Sequence, residues 1–522
     1  MQEFLQRHGA SVIGVLSGWD RLLLRGTLRL LANVAGLKAY FWHTRVLWKD
    51  FSAWSQQQTA QLRLASEEVL RQADRPVLYV AKPSLRKDQL AQDIARRDKI
   101  EAGPICLLTA VEPCWSYELH RSREAKKLLL EKRWRKCLHL YHYQIHPHLG
   151  FLHVRLQTWL PFTVKICLNG REWLCRQLDQ AGQKYVRRDN CLTWVQNVAA
   201  AQNLLTAQLT TAWPTLLNQL AAQTHPGLTA LPAMGERPLE YYWSADQSEW
   251  ATDVMFRSPA ALAALYPKLI RQGLTALGST DVMRFLGQKL PAQGGIHGRF
   301  KGEVVSDLKA RPEGLRLKHR VNGNSVKVYD KQGRVLRVET TINDPGDFKV
   351  WRGTEEKPQK KAWRKMRKGV ADLHRRATES QKANARYLSA LGAMECPVSL
   401  EELVGPLGQG QVKEGRRYRG LRVLGAEDGA LLAAVGRGEF ALHGFRNGDI
   451  RAVLYGPDAE AEQTRRRSGQ VSRQLALLRA HGLVRRVPHT RRWLVTGHGR
   501  QVMAVLSAAK AASTQELMAK AA

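Results

Sequence analysis

The sequence predicts an α+β protein: a helical N-terminal region, an antiparallel-sheet core, a long basic helix and a C-terminal helix-and-hairpin domain. Three observations carry this. Alternating strand-like runs cluster at about 103–200 and 299–351. Helical periodicity fills the segments around them. The 522 residues exceed one ordinary domain and suggest two to four.

Residues 1–102 read as helical, because "SGWDRLLLRGTLRLLANVAGLKAYFWHTRVLWKDFSAWS" places apolar residues and arginines at helical intervals. Within that region "RPVLYVAKPS" reads as a short strand ending at Pro83, and "RKDQLAQDIARRDKI" as an amphipathic helix. Residues 103–352 form the core. "GPICLLTAV", "KCLHLYHYQI", "GFLHVRLQTW" and "FTVKICL" are its first strands, followed by the helix "NGREWLCRQLDQAG", with Asn169 as cap and Gly182 as terminator. Residues 200–290 return to helix. There Asp246, Glu249 and Asp253 are spaced near one helical turn, which suits a solvated helix face or a cation site. Five strands follow over 299–351, with Asn322-Gly323 as a hairpin signal. Residues 353–400 are a basic helical junction, with a helix over about 363–393 carrying Trp363, Met366, Val370, Leu373, Ala377, Tyr387 and Leu391 on one stripe. "GPLGQGQVKEGRR" reads as a linker, and 418–522 as a separate domain with a helical tail.

The formal net charge is +35 and the pI about 10.3. Self-repulsion of that size points to a polyanionic partner, with DNA first and RNA second. No run of 18 apolar residues occurs, so no membrane span is expected. The N-terminus lacks a basic segment followed by an apolar one, so the expectation is a cytoplasmic, nucleoid-associated protein. Seven cysteines, six of them between Cys106 and Cys191 and none in a C-x-x-C pair, favour reduced buried thiols over disulfides or zinc. P-loop, H-E-x-x-H, G-x-S-x-G and D-x-D-x-D-G patterns are absent, and the glycine-rich "GGIHGRFKG" does not replace the first.

Two hairpins concentrate the chemistry. Across "HPHLG", the aliphatic faces of 137–145 and 151–159 must coincide. That leaves His139, Tyr141, Tyr143, His153, Arg155 and Gln157 on the other face, with His142 among the leucines. Imidazoles there suit a divalent metal or proton transfer, and Arg155 suits a phosphate. The competing reading is a polar face that grips a nucleic-acid backbone. In "SVKVYDKQGRVLRVETTIND" a loop at Lys331-Gln332-Gly333 puts Lys327, Tyr329, Arg337, Glu339 and Thr341 on one face. Lys327 and Arg337 are phosphate-binding candidates. Glu339 is a candidate metal ligand or general base, or one member of a structural ion pair.

"VKVYDKQGRVLRVETTI" resembles paired strands in replication initiators of rolling-circle plasmids and filamentous phages. That resemblance implies tyrosine-dependent DNA nicking with Mg or Mn. It makes Tyr185 the candidate nucleophile, Arg187 and Arg188 candidate phosphate ligands, and His153, Gln157 and Glu339 further catalytic candidates. His139, His153 and Glu339 form the candidate metal set. In "HVRLQ", Arg155 stands where the family's second ligand would be, and Gln157 comes two residues later.

Near the C-terminus, "SGQVSRQLALLRAHGLVRRVPHTRRWLVTGHGRQVMAVL" reads as helix, turn, basic hairpin and helix, preceded by the helix "FRNGDIRAVLYG". Gln470, Ser472, Arg473 and Arg479 lie on the long helix's polar side, and Arg485, Arg486, His489, Arg491 and Arg492 on or beside the hairpin. This resembles the winged helix-turn-helix domains of MarR-type regulators, which implies duplex recognition by the helix and backbone contact by the wing. The whole chain is also similar to an uncharacterised bacterial protein family sharing "DNC-x-T-W", "YDK" and "R-V-E-T-T-I-N". Three functions remain in competition: a mobile-element or replication-initiation protein, a non-enzymatic regulator that senses a ligand or oligomerises, and an RNA-binding ribonucleoprotein component.

Overall fold

A computed structural model describes the chain except Pro83, Ala276, Glu355 and residues 123–126, 235–238, 289–301, 312–313, 393–399, 438–439, 441–443, 457–459, 488–489 and 513–522. The glycine-rich segment at 294–301, Pro83 and His489 therefore lie outside the described residues. The chain divides into two compact units, Gly14–Met255 with Glu339–Gln381, and Met1–Ile13 with Phe256–Val338 and Lys382–Ala522. Both helices and strands are abundant, so the α+β expectation holds.

The first unit is built on long strands: β1 (Val12–Leu28), β2 (Val77–Tyr79), β3 (Gly103–Ser122), β4 (Lys127–His146), β5 (Gly150–Gln157) and β6 (Val164–Asn169). A separate hairpin, β7 (Tyr185–Arg188) with β8 (Cys191–Val195), precedes β9 (Tyr241–Phe256). Within this unit the sheet runs β9-β1-β6-β5-β4-β3-β2, with Glu339–Ile342 on the outer side of β9. β2 pairs with β3 in parallel, whereas β3–β4, β4–β5, β5–β6 and β1–β6 are antiparallel.

Sequence reading located β3 to β6 but cut two of them short, since β3 runs on to Ser122 and β4 begins at Lys127; the β4–β5 pairing has the expected parity, with Tyr141 opposite Arg155 and Tyr143 opposite His153. Asn169 caps Gly170–Gln180, accepting from the amides of Arg171 and Glu172, and Gly182 follows with φ +62°. Two segments differ. Residues 12–28 are a strand, not helix: Leu22, Leu24 and Leu28 are buried on alternate positions between half-exposed neighbours. Gly26 is required there, because a Cβ would lie 2.8 Å from the Tyr241 and Trp243 rings. Residues 241–256 are also a strand, so Asp246, Glu249 and Asp253 share no helical face.

The unit's main core joins Trp19, Leu22 and Leu24 of β1 to Leu140, Val154, Leu156, Ile166 and the helices at 51–72 and 213–224. His142 and His225 are buried beside it, and His139 is buried on the opposite side of β4. His225 hydrogen-bonds the Ser66 hydroxyl at 2.8 Å and faces His142, ring centroids 6.2 Å apart.

The second unit carries β10 (Val304–Arg311), β11 (Gly314–Val321), β12 (Asn324–Lys331) and the start of β13 (Val335–Ile342), in that order. Asn322 turns with φ +51° between β11 and β12, and Gln332 and Gly333 turn between β12 and β13, as the sequence predicts. The expected helix over 363–393 is shorter, Leu373–Leu391. Ala362–Lys365 instead pairs with Lys349–Arg352, and a single 3-10 turn at Val370–Asp372 separates that strand from the helix.

Residues 403–506 share one core. The expected linker is part of it: Leu407 and Leu421 are buried, and Gln411–Lys413 pairs with Arg416–Tyr418 across Glu414-Gly415, both at positive φ. Helices Ala426–Val435, Asn447–Tyr455 and Ala461–Ala480 lead into the hairpin Val484–Arg486 with Trp493–Val495 and the helix Gly497–Ala511. The six described cysteines are free thiols.

Burial holds His139 and His142 at about 3 and His225 at about 4, below the ordinary 6.5. A depressed folded value means that stability is fully present above about 6.5 and is lost as pH falls toward 3, because the unfolded chain takes up the protons first. The urea midpoint should therefore drop between pH 7 and pH 4.5. His142→Phe should flatten that dependence by about one proton; an unchanged slope overturns the assignment.

Candidate nucleic-acid interface and carboxylate cluster

On the polar side of the β1-β6-β5-β4 strands, register lines up Arg25, Lys165, Arg155 and Tyr141 in one row. Three cations directly opposite one another repel. Carboxylates relieve them: Asp246 lies 2.8 Å from Arg25 and 3.1 Å from Lys165, and Glu112 3.3 Å from Arg155 and 2.8 Å from Lys87. Tyr141 donates to Glu112 at 2.6 Å. Burial works against the charge on Glu112, but Lys87, Tyr141 and Arg155 together hold it below its ordinary value. The next row carries Cys167, His153 and Tyr143. Asp88 receives Tyr143 at 2.7 Å and lies 3.4 Å from His153. The His153 hydrogen bond, with Tyr143, brings Asp88 down to about 2.

The polar face expected from parity thus exists, but two of its members are buried within it. His139 is buried and bonds the Cys137 carbonyl at 3.0 Å. Gln157 is buried and donates to the carbonyls of Trp115, Trp159 and Leu160. Among the phosphate candidates, Arg155 is committed to Glu112, and Arg187 pairs with Glu172. Arg188 is exposed, Lys327 lies over the Tyr329 ring at 5.6 Å, and Arg337 is fully buried.

Glu339 does meet carboxylates, though not His139 or His153. Asp20, Glu249 and Glu339 come from adjacent strands, are all buried, and offer oxygens within 4.8 Å of one another. Arg21 reaches Glu249 at 3.1 Å, and Asn190, just before β8, donates to Asp20 at 2.9 Å. Sequence reasoning found Glu339, set Glu249 on a helix and missed Asp20. Only strand assignments for β1 and β9 could have exposed the grouping. Three hard oxygen donors of this kind suit Mg or Mn. Four residues along β9, Asp253 is 2.9 Å from Arg171, and both are almost fully buried.

Tyr185 stands on β7 and donates to Asp179 at 2.8 Å. Burial, then Asp179, raises its phenol well above the ordinary value, so the hydroxyl stays protonated near neutral pH.

In the C-terminal segment, the Ala461–Ala480 helix buries Val471, Leu475 and Leu478 and leaves Arg465, Arg466, Gln470, Ser472 and Arg473 exposed. Arg466, Gln470 and Arg473 fall on one stripe by i, i+4, i+7 spacing. Asn447 clasps this helix, donating to the Ser468 carbonyl and the Ser472 hydroxyl, both at 2.9 Å, and accepting from the Ser468 hydroxyl at 3.0 Å. Arg485, Arg486 and Arg491 are exposed on the hairpin, and Arg492 is half-buried. Arg479 is paired with Glu414 at 2.6 Å.

No protein-family model, curated protein or solved structure matches this chain.

The Arg171–Asp253 pair ties the Gly170–Gln180 helix to the strand that bears Glu249. Asp253→Ala leaves a buried guanidinium without its carboxylate and should cost about 3–5 kcal/mol in urea unfolding. Arg171→Met with Asp253→Leu should recover most of that loss. Equal losses in the single and double variants would show that the pair does not hold the strand.

Proposed function

We propose that this chain is a DNA-binding protein of mobile-element or replication-initiation type, whose C-terminal segment recognises duplex in the manner of a winged helix. The observation that carries the reading is the exposed basic surface of residues 465–491. Arg465, Arg466, Arg473, Arg485, Arg486 and Arg491 all face solvent on one helix and its neighbouring hairpin. A helix stripe of Arg466, Gln470 and Arg473 fits base edges in a major groove, and the hairpin arginines fit phosphates. Ser472 is turned to Asn447, so it positions the helix and does not read a base.

The core supports a second half of this reading, phosphodiester nicking with Mg or Mn. A cation at Asp20, Glu249 and Glu339 would polarise a phosphoryl oxygen and stabilise the leaving oxygen. Tyr185 is the nucleophile of the tyrosine route: as its oxygen bonds to phosphorus, Asp179 accepts its proton, the phosphorus bond to the 3′-oxygen breaks, and that oxygen takes a proton from solvent.

Two measurements test the two halves. Duplex affinity should fall steeply with salt, and Arg485→Ala with Arg486→Ala should lower the log–log slope by about 1.8, near 0.9 per lost phosphate contact. A flat salt dependence overturns duplex binding. Labelled DNA incubated with Mn²⁺ should be cleaved by the wild type and not by Glu249→Gln, with a covalent adduct absent in Tyr185→Phe. Binding without cleavage under any condition leaves a non-enzymatic regulator.

A further inference from the structure

The hairpin of β14 (Lys349–Arg352) and β15 (Ala362–Lys365) presents an unusual outer face. Register sets Trp351 opposite Trp363 and Lys349 opposite Lys365. The two rings are 54% and 59% exposed and meet edge to face, centroids 5.7 Å apart. Large exposed aromatic surface is costly in water and marks a contact site. Like charges directly opposite on a ladder are destabilising as well. Both penalties vanish together when one ligand supplies flat apolar rings and negative charge.

The hairpin is a rigid base for such a ligand. Its other face buries Val350 with Ile342, Phe348 and Met366. Arg352 donates to the Lys365 carbonyl at 2.9 Å, which locks the strands together. It also lies 3.8 Å from Asp372, a fully buried carboxylate that gathers Arg367 and Arg375 at 3.2 and 2.7 Å. The loop beyond the tryptophans adds the exposed Lys360 and Lys361. A second exposed tryptophan pair, Trp115 with Trp134 on β3 and β4, has Pro113–Lys136 and Tyr117–Lys132 as register neighbours, and so lacks the opposed lysines.

We propose that the β14–β15 hairpin is a docking platform for single-stranded nucleic acid, with unstacked bases on Trp351 and Trp363 and phosphates on Lys349, Lys365, Lys360 and Lys361. Base faces are hidden inside a duplex and open in a single strand, which is why aromatic platforms take the latter. The proposal rests on the nucleic-acid reading above but engages a different surface.

The test is fluorescence anisotropy of labelled dT20, rU20 and a DNA hairpin duplex with the full chain. Trp351→Ala with Trp363→Ala should weaken dT20 binding about 100-fold, roughly tenfold per ring, and leave duplex binding unchanged. Trp351→Phe with Trp363→Phe should retain most of the affinity, which separates stacking from folding. Lys349→Ala with Lys365→Ala should lower the single-strand salt slope by about 1.4, near 0.7 per phosphate. Equal affinity for rU20 also supports the platform and shows it blind to the 2′-hydroxyl. Unchanged dT20 binding in the double tryptophan variant overturns it. A wild type that binds duplex but not dT20 overturns this proposal alone, and one that binds no nucleic acid overturns the function as well.

Discussion

In β1, β6, β5 and β4 the aliphatic side chains fall opposite one another row by row. Leu24 faces Ile166, Ile166 faces Val154, and Val154 faces His142; beside them Val164 faces Leu156, which faces Leu140. Period-two alternation then forces Arg25, Lys165, Arg155, Tyr141 and His153 to the other side of the same strands. Slipping any strand by one residue would bury cations and expose leucines, so the apolar face dictates the polar one. His142 shows the cost of that order. It occupies an aliphatic row, and burial keeps it neutral down to about pH 3.

Charge is distributed by the same logic. On the sheet face each cation of the Arg25 row has a carboxylate at about ion-pair distance, supplied by Asp246 or Glu112. Those arginines hold the fold and are poorly available to a polyanion. The excess of positive charge comes to the surface elsewhere, on the Ala461–Ala480 helix, its hairpin and the lysines beside Trp351 and Trp363. A basic composition points to a polyanionic partner without saying where it would sit; arginines committed to carboxylates and exposed ones look alike in sequence.

The β4–β5 face was legible because alternation and aliphatic burial are local and agree. Asn169, Asn322 and the Gln332-Gly333 turn were legible for a similar reason, since each signal lies within four residues of its effect. β1 was not. Leu22, Leu23 and Leu24 in succession, with Leu30 and Leu31 after them, blur period two into a helical pattern, and Gly26 looks like a break until Tyr241 and Trp243 are seen against it. β9 carries acids three and four residues apart, a helical spacing that tertiary pairing overrode. The carboxylate cluster joins residues 20, 249 and 339, and no local pattern encodes that adjacency. Ion pairs such as Arg155 with Glu112 are invisible for the same reason.

The clasp of Asn447 on Ser468 and Ser472 has a consequence for how this protein changes over time. It fixes the rotation of the Ala461–Ala480 helix about its own axis through groups that lie off the outward stripe. Arg466, Gln470 and Arg473 bear none of that duty, and Val471, Leu475 and Leu478 hold the inward side. The outward residues are thus free to be exchanged without repacking the domain. Under the proposed function the helix is an interchangeable reading head on a constant mount, where new target preferences would arise by substitution while the rest of the chain stays as it is.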